Sequence, residues 1–288
     1  MSTAISTSAP ASSPATAAPS ALTRLRWWVC DSWVMTKRNM THVVREPEEV
    51  VIYFTLPIMF VLVFGYVFGS GMAVPGASSD SAYREFLLPG VFVMTMLYGL
   101  GATASGIAFD VGRGVVDRFR SMPVTRSALV TGRSLADLLR ALLEMTVLVV
   151  CGLLVGWQWH RGIGNALLAV GLILLLRIAL TWMGILLGLI VPNPDLVAVI
   201  VFPTAFPLTA VSNVFVAPEL MPGWLGAVSE WNPLSATVGA IRELFGNPGL
   251  GGSSWVAEHA LVMAVVWPLL MLAIFVPLSV WRYQRLSR

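Results

Sequence analysis

Apolar and polar positions along this chain fall in long blocks, not in the short alternation of a soluble domain. Six apolar runs occupy residues 50–69, 86–111, 138–159, 165–191, 196–216 and 256–281. Each is close to the roughly 20 helical residues that cross a hydrocarbon core. The start of the first run is well marked. Pro47 suits a first helical turn, where its missing N–H has no partner to lose, and Glu48 and Glu49 sit where the helix dipole favours negative charge. The pattern predicts an all-α polytopic membrane protein with six transmembrane helices.

The segments outside these runs have patterns of their own. Residues 1–21 are built from Ser, Ala, Thr and Pro without a basic stretch followed by an apolar one, so they predict a disordered tail and not a signal peptide. In 22–46, Leu22, Leu25, Trp28, Val29 and Trp33 recur at helical spacing among Arg24, Arg26, Lys37 and Arg38, which predicts an amphipathic helix lying in the membrane interface. Trp157 and Trp159 predict a membrane interface at the end of the third run. Pro203 and Pro207 predict a kink or break in the fifth. Residues 217–255 are too long and too apolar for a simple loop. Pro218, Pro222, Pro233 and Pro248 punctuate them, and Trp224, Trp231 and Phe245 supply interfacial aromatics, so short re-entrant helices are expected there before the last span.

Composition agrees with the pattern: 57% hydrophobic residues, 11% charged residues and a mean hydropathy of +0.79 belong to a membrane protein. A net charge of +3 would suit a nucleic-acid partner, but the basic residues lie between apolar runs and not on a polar domain, so membrane topology explains them and no nucleic-acid partner is expected. Thirteen of them (Arg24, Arg26, Lys37, Arg38 and Arg45; Arg113, Arg118, Arg120, Arg126 and Arg133; Arg282, Arg285 and Arg288) fall on one face of a six-span arrangement. Only Arg84, Arg161 and Arg242 fall on the other. That asymmetry predicts both termini in the cytoplasm. The link between the fourth and fifth runs has no basic residue, and if those two were one broken span the C-terminus would lie outside. Arginine outnumbers lysine seventeen to one, a bias of high-GC bacterial coding, and the expected location is the bacterial cytoplasmic membrane.

Chemistry is sparse. The one lysine, Lys37, follows Thr36 and stands in no G-x-x-x-x-G-K-[ST], so this sequence has no P-loop and any ATP is handled elsewhere. There is no His-Glu-x-x-His and no Gly-x-Ser-x-Gly, and His42, His160 and His259 are far apart. Cys30 and Cys151 have no ligand spacing and read as structural. No catalytic or metal site is expected.

Charges inside apolar runs are costly and face a partner or a cavity. Asp137, Arg140 and Glu144 stand three and four apart at the start of the third run, where Asp137 with Arg140, and Arg140 with Glu144, can pair along one helix face. Arg177 lies near the middle of the fourth run, with Glu144 as an expected partner. This cluster reads either as a self-neutralised helix start or as a relay lining a pathway. Gly65–Gly69, Gly152–Gly156 and Gly184–Gly188 each form G-x-x-x-G, read as ordinary close helix packing.

Between the second and third runs lies a polar island, GRGVVDRFRSMPVTRSALVTGR, with five arginines and a Met122-Pro123-Val124-Thr125 step that predicts a turn feeding a helix. The overlapping segment FRSMPVTRSALVTGRSLADLL resembles the cytoplasmic loop of ABC-2 type permeases. NPLSATVGAIRELF, with Asn232, Pro233, Leu234 and Arg242, resembles the pattern they carry before the last span. The Glu-Pro-Glu-Glu start of the first run, with Leu56-Pro57-Ile58-Met59-Phe60 inside it, extends the likeness over about 24–285, most of all to the daunorubicin-resistance type of drug-efflux subunit.

The resemblance implies 47–288 as one six-helix transmembrane domain, with a coupling loop at about 112–136 and the re-entrant segment at about 217–255. It implies an exporter of two permease subunits, as a homodimer or heterodimer, with two copies of a separate ABC ATPase subunit. ATP and Mg would be bound in that ATPase, with no cofactor in this chain. Arg118, Phe119, Arg120, Ser121, Met122, Pro123, Val124, Thr125 and Arg126 would form the coupling helix that docks on it. Phe92, Met96, Phe202 and Phe206 would contact an amphipathic small-molecule or lipid substrate, with membrane lipids around the whole. The competing reading is an ion-coupled secondary transporter working through Arg140, Glu144 and Arg177, disfavoured because the two halves show no internal repeat. A lipid-modifying enzyme would need a convergent catalytic constellation, and the sequence offers none.

Overall fold

The computed structural model describes residues 55, 57–67, 80–113, 126–249, 252 and 254–285. The tail 1–21, the expected interfacial helix 22–46 and the coupling residues from Arg118 to Thr125 lie outside the described residues; of Arg126 the backbone alone is described. Among the described residues the secondary structure is helices and turns, without a strand.

The helices in chain order are α1 (Pro57–Val67, its last turn π-helical), α2 (Asp80–Gly112), α3 (Arg126–Leu154), α4 (Gly162–Ile190), α5 (Pro194–Ala210), α6 (Gly223–Glu230), α7 (Pro233–Phe245), the single turn α8 (Trp255–Glu258) and α9 (Ala260–Arg285). A 3-10 turn, Pro218–Leu220, precedes α6. Three of them, α2 from Ala82, α4 and α9, are long and apolar enough to cross a membrane. α1 and α5 are apolar but shorter.

α2 is the centre of the molecule. Its side chains are almost wholly sheathed by protein, and α1, α3, α4, α5 and α7 all pack against it. α4 is about half sheathed, and α9 lies outside, against α4 and α7, with Leu269, Leu270, Ile274 and Trp281 exposed. The close approach of α4 to α2 has a steric cause. A Cβ at Gly184 would come within 2.9 Å of the Leu100 carbonyl oxygen, and one at Gly188 would collide with that of Ala104. That G-x-x-x-G pair is a packing device, as expected.

The Gly152–Gly156 pair divides into two roles. Gly152 packs against Leu88 and Trp157, whereas Gly156 has φ +92° with open space around it. It ends α3: Trp157 N–H donates to the Gly152 carbonyl and Gly156 N–H to that of Leu153, a Schellman pair that favours a left-handed glycine. α3 therefore stops at Leu154 and not at Trp159. Gly246 (φ +75°) ends α7 in the same way, with Asn247 N–H on the Arg242 carbonyl and Gly246 N–H on that of Glu243.

The two ends interlock. Trp157 Nε1 donates to Asn247 Oδ1 at 3.1 Å, and Asn247 Nδ2 donates to the Gln158 carbonyl at 3.0 Å. Trp157 is thus fully buried, in edge-on contact with Phe92 and Phe245. This corrects two expectations: Trp157 and Phe245 are core residues, while Trp224 on α6, Trp231 just after it and Trp159 are exposed.

α5 also departs from its expected bounds. It runs as helix through both Pro203 and Pro207 and ends at Ala210, so 211–216 is a turn and not a helical continuation. Its start is set by Asn193, whose Oδ1 accepts from Asp195 and Leu196 N–H, with Pro194 in the first turn.

Candidate functional site

The charged residues that the sequence singled out meet between α2, α3 and α4. Arg177 of α4 is completely buried, and its Nη2 lies 2.9 Å from Asp137 Oδ2 of α3, an ion pair in which the N–H is not aimed along the line to the oxygen. Nη1 donates to the Met96 carbonyl of α2 at 2.9 Å. The same Asp137 oxygen accepts from Thr103 Oγ1 of α2 at 2.7 Å and from Thr181 Oγ1 of α4 at 2.6 Å. One carboxylate oxygen therefore joins three helices.

Burial of a charge in an apolar medium is tolerated when it is paired and its remaining hydrogen-bonding positions are filled. The two threonines and the Met96 carbonyl fill part of them, while Arg177 Nε has no hydrogen-bond partner. Gly99 makes the space: a Cβ there would collide with Arg177 Nη1. The guanidinium can approach the backbone of α2 because Gly99 has no side chain at this turn.

The arrangement confirms part of the expected pairing and corrects part. Arg140 Nε pairs with Glu144 Oε1 at 3.1 Å, one turn apart on α3. Arg177 pairs with Asp137, in place of Glu144, because Asp137 faces the same α2 turn. Thr103, Thr181 and Gly99 were not anticipated. Their signal is spacing: Arg177, Thr181, Gly184 and Gly188 recur at four, three and four residues, one face of α4, and Gly99 and Thr103 stand one turn apart on α2.

A second buried arginine organises the segment before α9. Arg242 of α7 has no exposed surface; its Nε donates to the Phe86 carbonyl at 2.9 Å and its Nη2 to that of Val214 at 3.2 Å. The guanidinium carbon stands 3.5 Å above the Phe86 ring. Asn232 starts α7: its Oδ1 accepts from Leu234 N–H at 3.0 Å, Pro233 takes the first turn, and Nδ2 reaches back to the Leu208 carbonyl of α5 at 2.9 Å. Asn213 binds α7 as well, through Ser235. The Asn-Pro-Leu step and Arg242 thus pin α7 to α2, to α5 and to the turn after α5.

The four residues expected to contact substrate separate into two places. Phe92 and Met96 are completely buried in the protein, Phe92 in the aromatic cluster with Trp157 and Phe245. Phe202 and Phe206 are half exposed on α5, and Phe202 touches Tyr98 of α2. No group of three or more His, Cys, Asp and Glu side chains that could hold a metal occurs among the described residues.

Apolar helices long enough to span, with the buried charges Arg177 and Asp137 paired inside the protein, define a multi-pass helical membrane protein. The chain belongs to the ABC-2 type transporter family, whose model matches residues 31–245. It is 31% identical to the daunorubicin resistance ABC transporter permease protein DrrB1 of Streptomyces coeruleorubidus over 238 residues, 83% of this chain and 80% of that one. It is 26% identical to the probable doxorubicin resistance ABC transporter permease protein DrrC of Mycobacterium tuberculosis, over 86% of this chain and 90% of that one. A putative transport permease, ycf38 of Cyanophora paradoxa, is 23% identical over 82% of this chain and 79% of its own length.

Proposed function

We propose that this chain is the membrane-spanning permease subunit of an ATP-binding cassette exporter, moving an amphipathic drug, lipid or polyketide out of the cell. ATP and Mg would be bound by two copies of a separate ATPase subunit, and a second permease subunit would complete the assembly. The observation that carries this reading is the family match over 31–245 in a sequence without a P-loop. Relatives described as resistance permeases support an amphipathic cargo.

In this reading the residues from Arg118 to Arg126 form the coupling helix, and both termini lie on the cytoplasmic side of a bacterial inner membrane. Closure of the ATPase dimer on ATP would push that element and tilt α2 and α3. Phe92, Met96, Phe202 and Phe206 remain the proposed substrate contacts, with Phe92 and Met96 reached only when α2 moves relative to its neighbours. The ion-coupled alternative gains no support from the charge cluster, because Asp137 and Arg177 are paired with each other inside the protein and tied to α2 through Thr103 and the Met96 carbonyl.

Arg120→Glu combined with Arg126→Glu should abolish copurification of the partner ATPase while membrane insertion is kept. Unchanged copurification would overturn the docking. Efflux of a fluorescent amphipathic dye should also stop when the ATPase is catalytically dead; efflux that persists and collapses with the proton gradient would point to the ion-coupled alternative.

A further inference from the structure

The three-helix junction at Asp137 lies where a push on the coupling loop would arrive. α3 begins at Arg126, the end of the proposed coupling helix, and Asp137 follows three turns later. Apart from Glu144, whose ion pair with Arg140 lies within α3 itself, the rest of the buried face of α3 is apolar, with Ala141, Met145 and Leu148 fully or nearly fully buried. Apolar contacts of that kind resist separation but give little directional grip along the helix axis, whereas an ion pair held by two hydroxyls has one geometry. Oδ2 of Asp137 meets α4 through Arg177 and Thr181 and α2 through Thr103, and Arg177 in turn holds the Met96 carbonyl of α2.

Resting on the exporter reading above, we infer that Asp137 and Arg177 are positioning residues that transmit the movement of α3 to α2 and α4, so that the three helices shift as one body when the ATPase closes. Gly99 is part of the device, since it lets the guanidinium seat on α2. Their role in transport is exerted through the helices that they join, without contact with the substrate. Net charge within the pair is zero, and the junction can transmit force in either direction without moving charge through the membrane.

The test uses the permease together with its ATPase in lipid nanodiscs, with spin labels at two exposed positions, Leu143 on α3 and Leu168 on α4. In the otherwise unaltered complex the distance between labels should be the same without nucleotide and after trapping with ATP and vanadate. In Asp137→Asn it should change on trapping, and daunorubicin transported per ATP hydrolysed in proteoliposomes should fall about tenfold, within the usual range for coupling between sites.

A merely structural Asp137 would lower the yield of assembled complex and leave transport per ATP in the surviving complex unchanged, which overturns the inference. So does a label distance that changes on trapping in the unaltered complex. If Asp137→Asn does not assemble, Gly99→Ala displaces the guanidinium with both charges retained and should give the same loss of coupling; the label distance in the unaltered complex decides the matter independently of either variant. Failure of the unaltered complex to trap nucleotide at all would instead be a failure of the exporter reading.

Discussion

Arg177 and Arg242 are both fully buried, and both bond a carbonyl of α2, yet they are neutralised in opposite ways. Arg177 has a carboxylate, Asp137, and hydroxyls that orient it. Arg242 has backbone carbonyls and the face of Phe86, and no carboxylate lies within ion-pair distance of it among the described residues. The first arrangement joins three long helices. The second joins a short helix to the turn after α5 and to α2, through main-chain carbonyls. A buried cation can thus be held by a partner charge, which can be deleted as a pair, or by fixed backbone dipoles, which no second mutation can remove.

That difference is broken most directly at Arg177. Arg177→Met leaves Asp137 buried without its counter-charge, and loss of one partner of a buried pair costs about 3–5 kcal/mol. Adding Asp137→Asn should recover most of that loss, because the neutral amide no longer needs a cation. Unfolding titrations in mixed micelles would measure both. A double variant as unstable as the sum of the two single ones would mean that the residues do not act as a pair.

The same contrast explains what was legible in the sequence. Charges in apolar runs announce themselves, so Asp137, Arg140, Glu144 and Arg177 were visible as a cluster, and Arg140–Glu144 followed from spacing along one helix. The partner of Arg177 did not, since it depends on the rotation of α4 against α2, set by Gly184, Gly188 and Gly99. Arg242 was visible as a motif residue, but its ligands are carbonyls, and main-chain acceptors have no sequence signature. Helix ends were legible where proline follows asparagine, at Asn193-Pro194 and Asn232-Pro233. They were misread at Gly156, where a capping glycine happens to stand four residues after a packing one, and at Trp157, where an aromatic of interfacial type is drawn inward by Asn247.

For Arg242 the informative change keeps the charge. Lysine cannot reach the Phe86 and Val214 carbonyls together or lie flat on the ring, so Arg242→Lys should cost about 1–3 kcal/mol from the lost bond and stacking. In contrast with Arg177→Met, no neutralisation of an acidic residue should restore the loss. The mixed-micelle titration reads this too. Full stability in Arg242→Lys would mean that charge alone, and not the planar fork, is what the site uses.

The smallest effect compares two caps with the same sequence signature. Asn193 and Asn232 each precede a proline and each accept from the N–H two residues on, at 2.9 and 3.0 Å. Asn193 is exposed and does nothing further across the fold, whereas Asn232 is buried and its Nδ2 also holds the Leu208 carbonyl of α5. Asn193→Ala should therefore cost about 0.5–1 kcal/mol, the range of a cap alone. Asn232→Ala should cost about 1–2 kcal/mol, because a buried carbonyl loses its donor as well. Ser at 232 separates the two contributions: a hydroxyl caps as well as an amide but is too short to donate to the Leu208 carbonyl, so Asn232→Ser should retain the cap and lose only the tie to α5. Equal losses for Asn232→Ala and Asn193→Ala would show that α7 is held to its neighbours by Arg242 and packing, with the asparagine serving its own helix.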